Sequence, residues 1–128
     1  MAQNDGENSL HGGFVGWGNR VWEGPHVVGT RGIEGVQALE GGESVKFTLR
    51  DTDGTEGYPG TLEASVIYTT GREKVGGVEK RVLGMEYEVK LVGDEVEETA
   101  VNVTNHSYVS LLSLLLTCRR KANMPFLN

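Results

Sequence analysis

Hydrophobic and polar residues alternate with a period of two through the middle of the chain, the pattern of β-strands with one buried face. Three such runs occur, and they lie at residues 45–49, 62–69 and 85–91. Segments rich in glycine and charged residues separate them, at residues 40–43, 51–60 and 71–80. Such segments are typical of turns. We therefore predict a meander of long antiparallel strands.

No helical periodicity of convincing length occurs before Val109, which makes the predicted fold class all-β, most simply an antiparallel β-sandwich. The chain has 128 residues, a length typical of one domain. Its 19 glycines fit tight turns, where a positive φ is free of steric cost, and fit a helical bundle poorly.

Charge and cysteine content exclude several classes of partner. The 12 basic and 18 acidic residues give a net charge of -6 with no basic stripe, so we expect no nucleic-acid partner. Cys118 is the only cysteine, and Met1 is followed by polar residues where a secretory signal needs an apolar core. We expect a cytoplasmic protein without a membrane association, and we predict no protein partner.

Three motifs carry most of the functional information. They are Asn8-Ser9-Leu10-His11-Gly12-Gly13, Asp53-Gly54-Thr55-Glu56-Gly57-Tyr58-Pro59-Gly60-Thr61-Leu62 and Val101-Asn102-Val103-Thr104-Asn105-His106-Ser107-Tyr108. In this order and with this spacing they resemble the aldose 1-epimerase (galactose mutarotase) family. The resemblance covers the middle portion of a family member and implies part of a galactose-mutarotase-like β-sandwich, or supersandwich.

The resemblance implies an isomerase that interconverts the α and β anomers of free aldoses such as glucose or galactose. That reaction takes the proton from the anomeric hydroxyl and gives one to the ring oxygen, so it needs a general base and a general acid. The resemblance implies that His106 is the general acid, a role that suits an imidazole near neutral pH. It implies that His11 binds and polarises the sugar. The implied partner is a monosaccharide, an aldohexose, with no cofactor and no metal.

Asn102 is a further candidate for sugar binding. If residues 101–108 form a strand, Asn102 and Thr104 share a face with His106, and the residues between them point the other way. A row of polar side chains on one face suits a saccharide, whose hydroxyls need directed hydrogen bonds.

The general base has no counterpart in this sequence. The resemblance assigns that role to a glutamate near the C-terminus of the family, and a sugar-binding aspartate also lies beyond the point where this chain leaves the pattern. Loss of one such group lowers catalysis by about 10²–10⁴-fold. We therefore expect the chain to be a truncated, inactive form. The alternative is a non-catalytic carbohydrate-binding β-sandwich fragment. It would hold a sugar through Trp17, Trp22, Tyr58 and the two histidines His11 and His106 without interconverting its anomers.

The sequence changes character after Tyr108. Leucines crowd residues 111–116, and basic residues follow at 119–121. One interpretation is a short terminal helix packed on the sheet, since the run is far below the ~20 residues needed to span a bilayer. We favour a partial aldose 1-epimerase domain at residues 1–108 and a divergent tail at 109–128, translated from an unspliced intron. Val109-Ser110 can be encoded by GTA-AGT, the consensus start of an intron.

The sequence disfavours two kinds of metal site. His11, His26 and His106 could form a three-histidine zinc centre, but they are widely separated and lack a short ligand pair. The segment from Asp51 slightly resembles a calcium loop. An EF-hand loop needs glycine at its sixth position and glutamate at its twelfth, where this chain has Glu56 and Leu62.

Overall fold

The computed structural model describes residues 1–106 and the backbone of residues 114–122. Within this part, five strands form one sheet in the order β1-β2-β3-β4-β5. The strands are Glu23–Thr30 (β1), Leu39–Asp51 (β2), Leu62–Val75 (β3), Val78–Leu91 (β4) and Leu114–Ala122 (β5). Strands β1 to β4 pair antiparallel with their neighbours, whereas β5 runs parallel to β4. The all-β prediction is confirmed, and the described residues build one sheet of the kind a sandwich would contain.

The three alternating runs lie in β2, β3 and β4, as predicted. Apolar side chains of these strands are buried, among them Leu49 of β2, Val66 of β3 and Met85 of β4. The central strand β3 is covered on both faces, since Ser65 and Thr69 on its polar side are also buried. A buried hydroxyl without a hydrogen-bond partner is costly, and Thr69 Oγ1 lies 2.8 Å from Ser44 Oγ.

The predicted turn at residues 40–43 is wrong. These residues lie inside β2, where the pairing with β3 shifts register between Gly41 and Glu43. The glycines serve a β-bulge instead of a turn. Gly42 has φ +92, and a Cβ there would lie 2.3 Å from the carbonyl oxygen of Arg31, whose N–H donates to Gly42 O at 2.8 Å. The backbone of residue 31 therefore packs where a side chain would stand.

The turn predicted at residues 71–80 is much shorter than expected. Strand β3 continues to Val75 and β4 begins at Val78, and these two residues pair across the hairpin. Gly76 and Gly77 make the connection with φ of 59° and 82°. Two successive residues with positive φ are what a two-residue type I′ hairpin requires.

The segment after residue 91 departs from the sequence prediction at two places. Residues 101–106 are not part of a strand, and Ser107 and Tyr108 of the predicted strand lie outside the described residues. The helical interpretation of the leucine run is wrong for residues 114–116, which lie in β5, while 111–113 lie outside the described part. None of the helical segments in the described residues has the length and apolarity to cross a membrane.

Candidate functional site

His11 lies in an exposed turn before the first strand. Its backbone is left-handed, with φ 55°, and the turn continues through Gly12 and Gly13 with φ of 81° and 109°. A left-handed conformation costs a non-glycine residue about 1–2 kcal/mol, so surrounding contacts must hold it. The chain therefore turns sharply after His11, and His11 is exposed at the surface.

Asn4 holds this turn from one side. Its side-chain Nδ2 donates to the carbonyl oxygens of Leu10 at 2.9 Å and Gly13 at 2.7 Å. Its Oδ1 accepts the N–H of Leu10 at 2.7 Å. One amide side chain therefore bridges the residue before His11 and the second residue after it, which closes the turn that carries His11.

Glu56 of the second motif holds the turn from the other side. Its Oε2 accepts the N–H of Phe14 at 2.9 Å, and its Oε1 accepts the N–H of Val15 at 2.9 Å. Tyr58, two residues later, places its hydroxyl 3.1 Å from Ser9 Oγ. The first and second motifs, about forty residues apart in sequence, are therefore in direct contact.

The second motif is itself a folded turn. Asp53 Oδ1 accepts the N–H of Gly60 at 2.6 Å, and the N–H of Asp53 donates to Thr61 Oγ1 at 3.2 Å. Between them, Gly54, Glu56 and Gly57 have φ of 78°, 52° and 75°. The carboxyl of Asp53 thus closes the turn at its base, and the turn directs Glu56 towards the His11 segment.

A second cluster anchors the aromatic segment that follows the turn. Asp51, buried at the end of β2, accepts the indole N–H of Trp17 at 2.6 Å and pairs with the guanidinium of Arg20. The indole N–H of Trp22 donates to Trp17 O at 3.0 Å, and the two rings meet edge to face at 6.4 Å. Both indoles are therefore engaged within the chain.

His106 is exposed and lies in a segment without regular structure. Exposure alternates along residues 101–106: Asn102, Thr104 and His106 are exposed, and the residues between them are half-buried. These three side chains share their exposure, but residues 101–106 do not form the strand on which the predicted shared face depends.

Glu95 ties the segment that leads to His106 back to the sheet. Its carboxylate accepts the Thr61 hydroxyl at 2.6 Å and the Thr61 N–H at 3.2 Å. Hydrogen bonds from Thr61 favour the charged form of the carboxyl, and they lower the pKa of Glu95 below its ordinary value. Val92 adds a backbone bond to Thr61 O at 2.9 Å, so the chain after β4 is fixed at the start of β3.

The three histidines are not gathered into a metal centre. Among the described residues, which include His11, His26 and His106, no group of three or more histidine, cysteine, aspartate or glutamate side chains has the geometry to hold a metal ion. His26 lies exposed on β1 and outside the three sequence motifs.

Sequence reasoning missed Asn4, Glu56 and Asp51 as supports of the candidate site. Glu56 was recognised only as part of a turn, because its partners Phe14 and Val15 are more than forty positions away. A local pattern carries no information on such a contact. The sequence does contain one signal, because Glu56 lies among the turn glycines Gly54 and Gly57. A carboxylate in such a turn often binds consecutive backbone N–H groups, as it does here.

Comparison with known proteins gives a consistent result. The bifunctional protein GAL10 of Pachysolen tannophilus is 46% identical over 101 residues, which are 78% of this chain and 13% of that protein. The galactose mutarotase of Bos taurus is 35% identical over 111 residues, 87% of this chain and 25% of the relative. The aldose 1-epimerase of Haemophilus influenzae is 33% identical over 113 residues, with the same two shares. No solved structure matches the chain.

The chain therefore spans a quarter or less of the length of these relatives. The family model for aldose 1-epimerase matches residues 1–119, which include all three motifs and the turn that presents His11. On this match, the chain belongs to the aldose 1-epimerase family.

Proposed function

We propose that this chain supplies one part of a mutarotase site, in which His106 is the general acid and His11 binds and polarises the sugar. The substrate class is a free aldohexose, with galactose favoured by the names of the mammalian relatives. Because the chain spans a quarter or less of their length, the full reaction requires residues that complement these two.

The turn around His11 is the observation that carries this proposal. An exposed imidazole sits on a left-handed backbone, and two side chains from other parts of the chain hold that backbone in place. Residues in sparsely populated conformations persist only when their surroundings fix them, and they cluster at ligand sites. A surface histidine without a ligand to bind would not require a backbone held in this way.

The chemistry follows from the two proton transfers. Protonated His106 gives its proton to the ring oxygen as the bond between that oxygen and the anomeric carbon breaks. The anomeric hydroxyl loses its proton to a base and becomes the aldehyde oxygen. The aldehyde rotates, and the reverse steps close the ring on its other face. His11 and Asn102 orient the sugar through hydrogen bonds to its oxygens.

Sugar titration of the full chain, followed by NMR of the histidine rings, tests the binding half of this proposal. The sequence has three histidines, so the spectrum contains its own control. D-galactose should shift the ring signals of His11 and His106 and leave those of His26 unchanged. A polyol without an anomeric centre, such as inositol, controls for viscosity and weak surface contact. Equal shifts at all three rings, or none at His11 and His106, would contradict the proposal.

The carbohydrate-binding alternative makes a different prediction in the same titration. In it the sugar is held through Trp17, Trp22 and Tyr58 as well as through the two histidines, so the indole fluorescence should change together with the histidine signals. The rings of Trp17 and Trp22 pack on each other and their N–H groups already have partners, which favours a structural role for both. We therefore expect the indole fluorescence to change little when the histidine signals move.

A further inference from the structure

We propose that Glu56 is a positioning residue for His11, acting through the backbone of the turn and not through contact with the sugar. This inference rests on the proposed function, in which His11 contacts the substrate. It gives the second motif a role in substrate binding, in addition to its role in the fold.

We use the term clamp for the two hydrogen bonds that Glu56 accepts from Phe14 and Val15. Its two carboxylate oxygens accept two consecutive backbone N–H groups, each at 2.9 Å. Hydrogen bonds to a charged acceptor are about twice as strong as neutral ones. Both oxygens of Glu56 are therefore engaged with the turn. Its carboxylate is committed to holding the turn.

Apolar packing cannot replace this clamp. The residues that Glu56 holds are largely exposed, with Phe14 at 68% and Val15 at 52%. Exposed side chains contribute little burial energy, so polar contacts must fix the path of the turn. Asn4 holds residues 10 and 13 on either side of His11, and Glu56 holds residues 14 and 15, where the chain leaves this turn.

Glu56 is itself held in an unusual conformation. Its φ is 52°, which is left-handed and unfavourable for a non-glycine residue. Its carbonyl oxygen accepts the N–H of Ala2 at 2.6 Å, so the start of the chain packs against the same turn. Residues in sparsely populated conformations cluster at functional sites, and the side chain of this one reaches the turn that follows His11. The strained position orients the carboxylate.

The test compares the full chain with its Glu56→Ala, Glu56→Gln and Glu97→Ala variants. Glu97 is an exposed glutamate outside the motifs and serves as the matched control. The first measurement is amide hydrogen exchange at Phe14 and Val15, together with the backbone coupling constant of His11. In Glu56→Ala these two amides should exchange about tenfold faster or more, and the coupling constant should leave its left-handed value. Amides of β3 and β4 should be unaffected.

The second measurement is the galactose titration of the histidine rings. Glu56→Ala should weaken the apparent affinity at His11 by about tenfold or more, Glu56→Gln should keep part of it through its one remaining oxygen, and Glu97→Ala should keep all of it. In a His11→Ala background, followed at His106, Glu56→Ala should have little further effect. A residue acting through another gives such non-additivity.

The outcomes separate this inference from the proposed function. If galactose does not shift His11 in the unsubstituted chain, the proposed function fails and the inference fails with it. If galactose shifts His11 equally in the unsubstituted chain and in Glu56→Ala, only the inference fails. Unprotected amides at Phe14 and Val15 in the unsubstituted chain would also overturn it, because the clamp would then be absent. Additive losses in the His11→Ala background would indicate a general structural role.

Discussion

At the scale of single residues, two neighbouring glycines show how tightly the side chain of Glu56 packs against the turn that follows His11. Gly12 and Gly13 both have positive φ, but they differ in their surroundings. A Cβ at Gly13 would lie 2.3 Å from Glu56 Oε2, whereas the atom nearest to a Cβ at Gly12 is 3.7 Å away. The carboxylate that holds the turn therefore occupies the space that a side chain at residue 13 would need.

This difference predicts unequal effects of the same substitution. Gly12→Ala and Gly13→Ala both incur the strain of a left-handed alanine. Gly13→Ala must also displace Glu56, so its free energy of unfolding should fall by at least about 1 kcal/mol more than that of Gly12→Ala. Denaturant unfolding of the two variants measures this directly. Equal losses would mean that Glu56 does not contact Gly13 in solution.

At the scale of elements, the chain after β4 is fixed to the start of β3 through Glu95 and Thr61. This contact lies on the path to residues 101–106, which carry His106. Since the carboxylate is exposed and only its ionised form accepts both bonds well, the attachment depends on pH.

The direction of the pH dependence follows from the lowered pKa of Glu95. A carboxyl whose pKa is lower in the folded state contributes stability above its unfolded pKa, and that contribution is lost as the pH falls through the folded pKa. Below the ordinary value of 4.5, protonation of Glu95 should loosen the segment 92–106. NMR titration of the Glu95 carboxyl and of the Thr61 amide measures this. Glu95→Gln should remove the transition, and its persistence in that variant would assign it to another group.

The sequence predicts those elements whose pattern is local. Strands β2, β3 and β4 each have an alternating run because each has a buried face. Strand β1 was not predicted, and its structure explains why: all eight of its residues are exposed, so no alternation marks it. The bulge at Gly41 and Gly42 resembles a turn in sequence, because a bulge of this kind and a tight turn both use residues with positive φ.

The same limit applies to the candidate site. His11 and its two glycines could be identified from a short motif, because a sharp turn is a local property. The contacts of Glu56 with Phe14 and of Asp51 with Arg20 join residues that are far apart in sequence. Their formation depends on how β2 and its flanking loops are arranged in three dimensions, which periodicity does not encode.

At the scale of the whole molecule, the sheet has two different edges. Edge strand β1 is exposed throughout, with Val27 at 87%. On the other side, β5 pairs with β4 from Arg81 to Val89, which satisfies the backbone groups of β4. Unpaired edges promote association between chains. The presence or absence of residues 109–128 should therefore affect both stability and solubility.

Deletion of residues 109–128 tests whether β5 belongs to the folded unit. Because β5 pairs with nine residues of β4, its removal should lower the thermal midpoint by roughly 5 °C or more and increase association through the freed edge. Thermal unfolding and sedimentation of the two forms measure both effects. An unchanged midpoint with improved solubility would instead favour the divergent tail at 109–128 that the sequence suggests.

The 128-residue chain alone should not accelerate mutarotation, because the implied acid has no paired base in this sequence. Polarimetry on freshly dissolved α-D-galactose or α-D-glucose measures the rate. Rotation that decays faster in proportion to the concentration of pure protein would show that the chain contains a complete catalytic set, and would require a different assignment of the base.

Polarimetry on a grafted enzyme tests the proposed role of His106 most directly. Within the match to the Bos taurus galactose mutarotase, which is 35% identical over 111 residues, the part that corresponds to residues 1–108 of this chain is replaced by those residues. The graft should accelerate the decay of optical rotation. His106→Ala should lower its kcat by about 10²–10⁴-fold with an unchanged thermal midpoint, while His26→Ala should keep it. A folded graft that retained near-normal kcat after His106→Ala would contradict the assignment of His106 as the general acid.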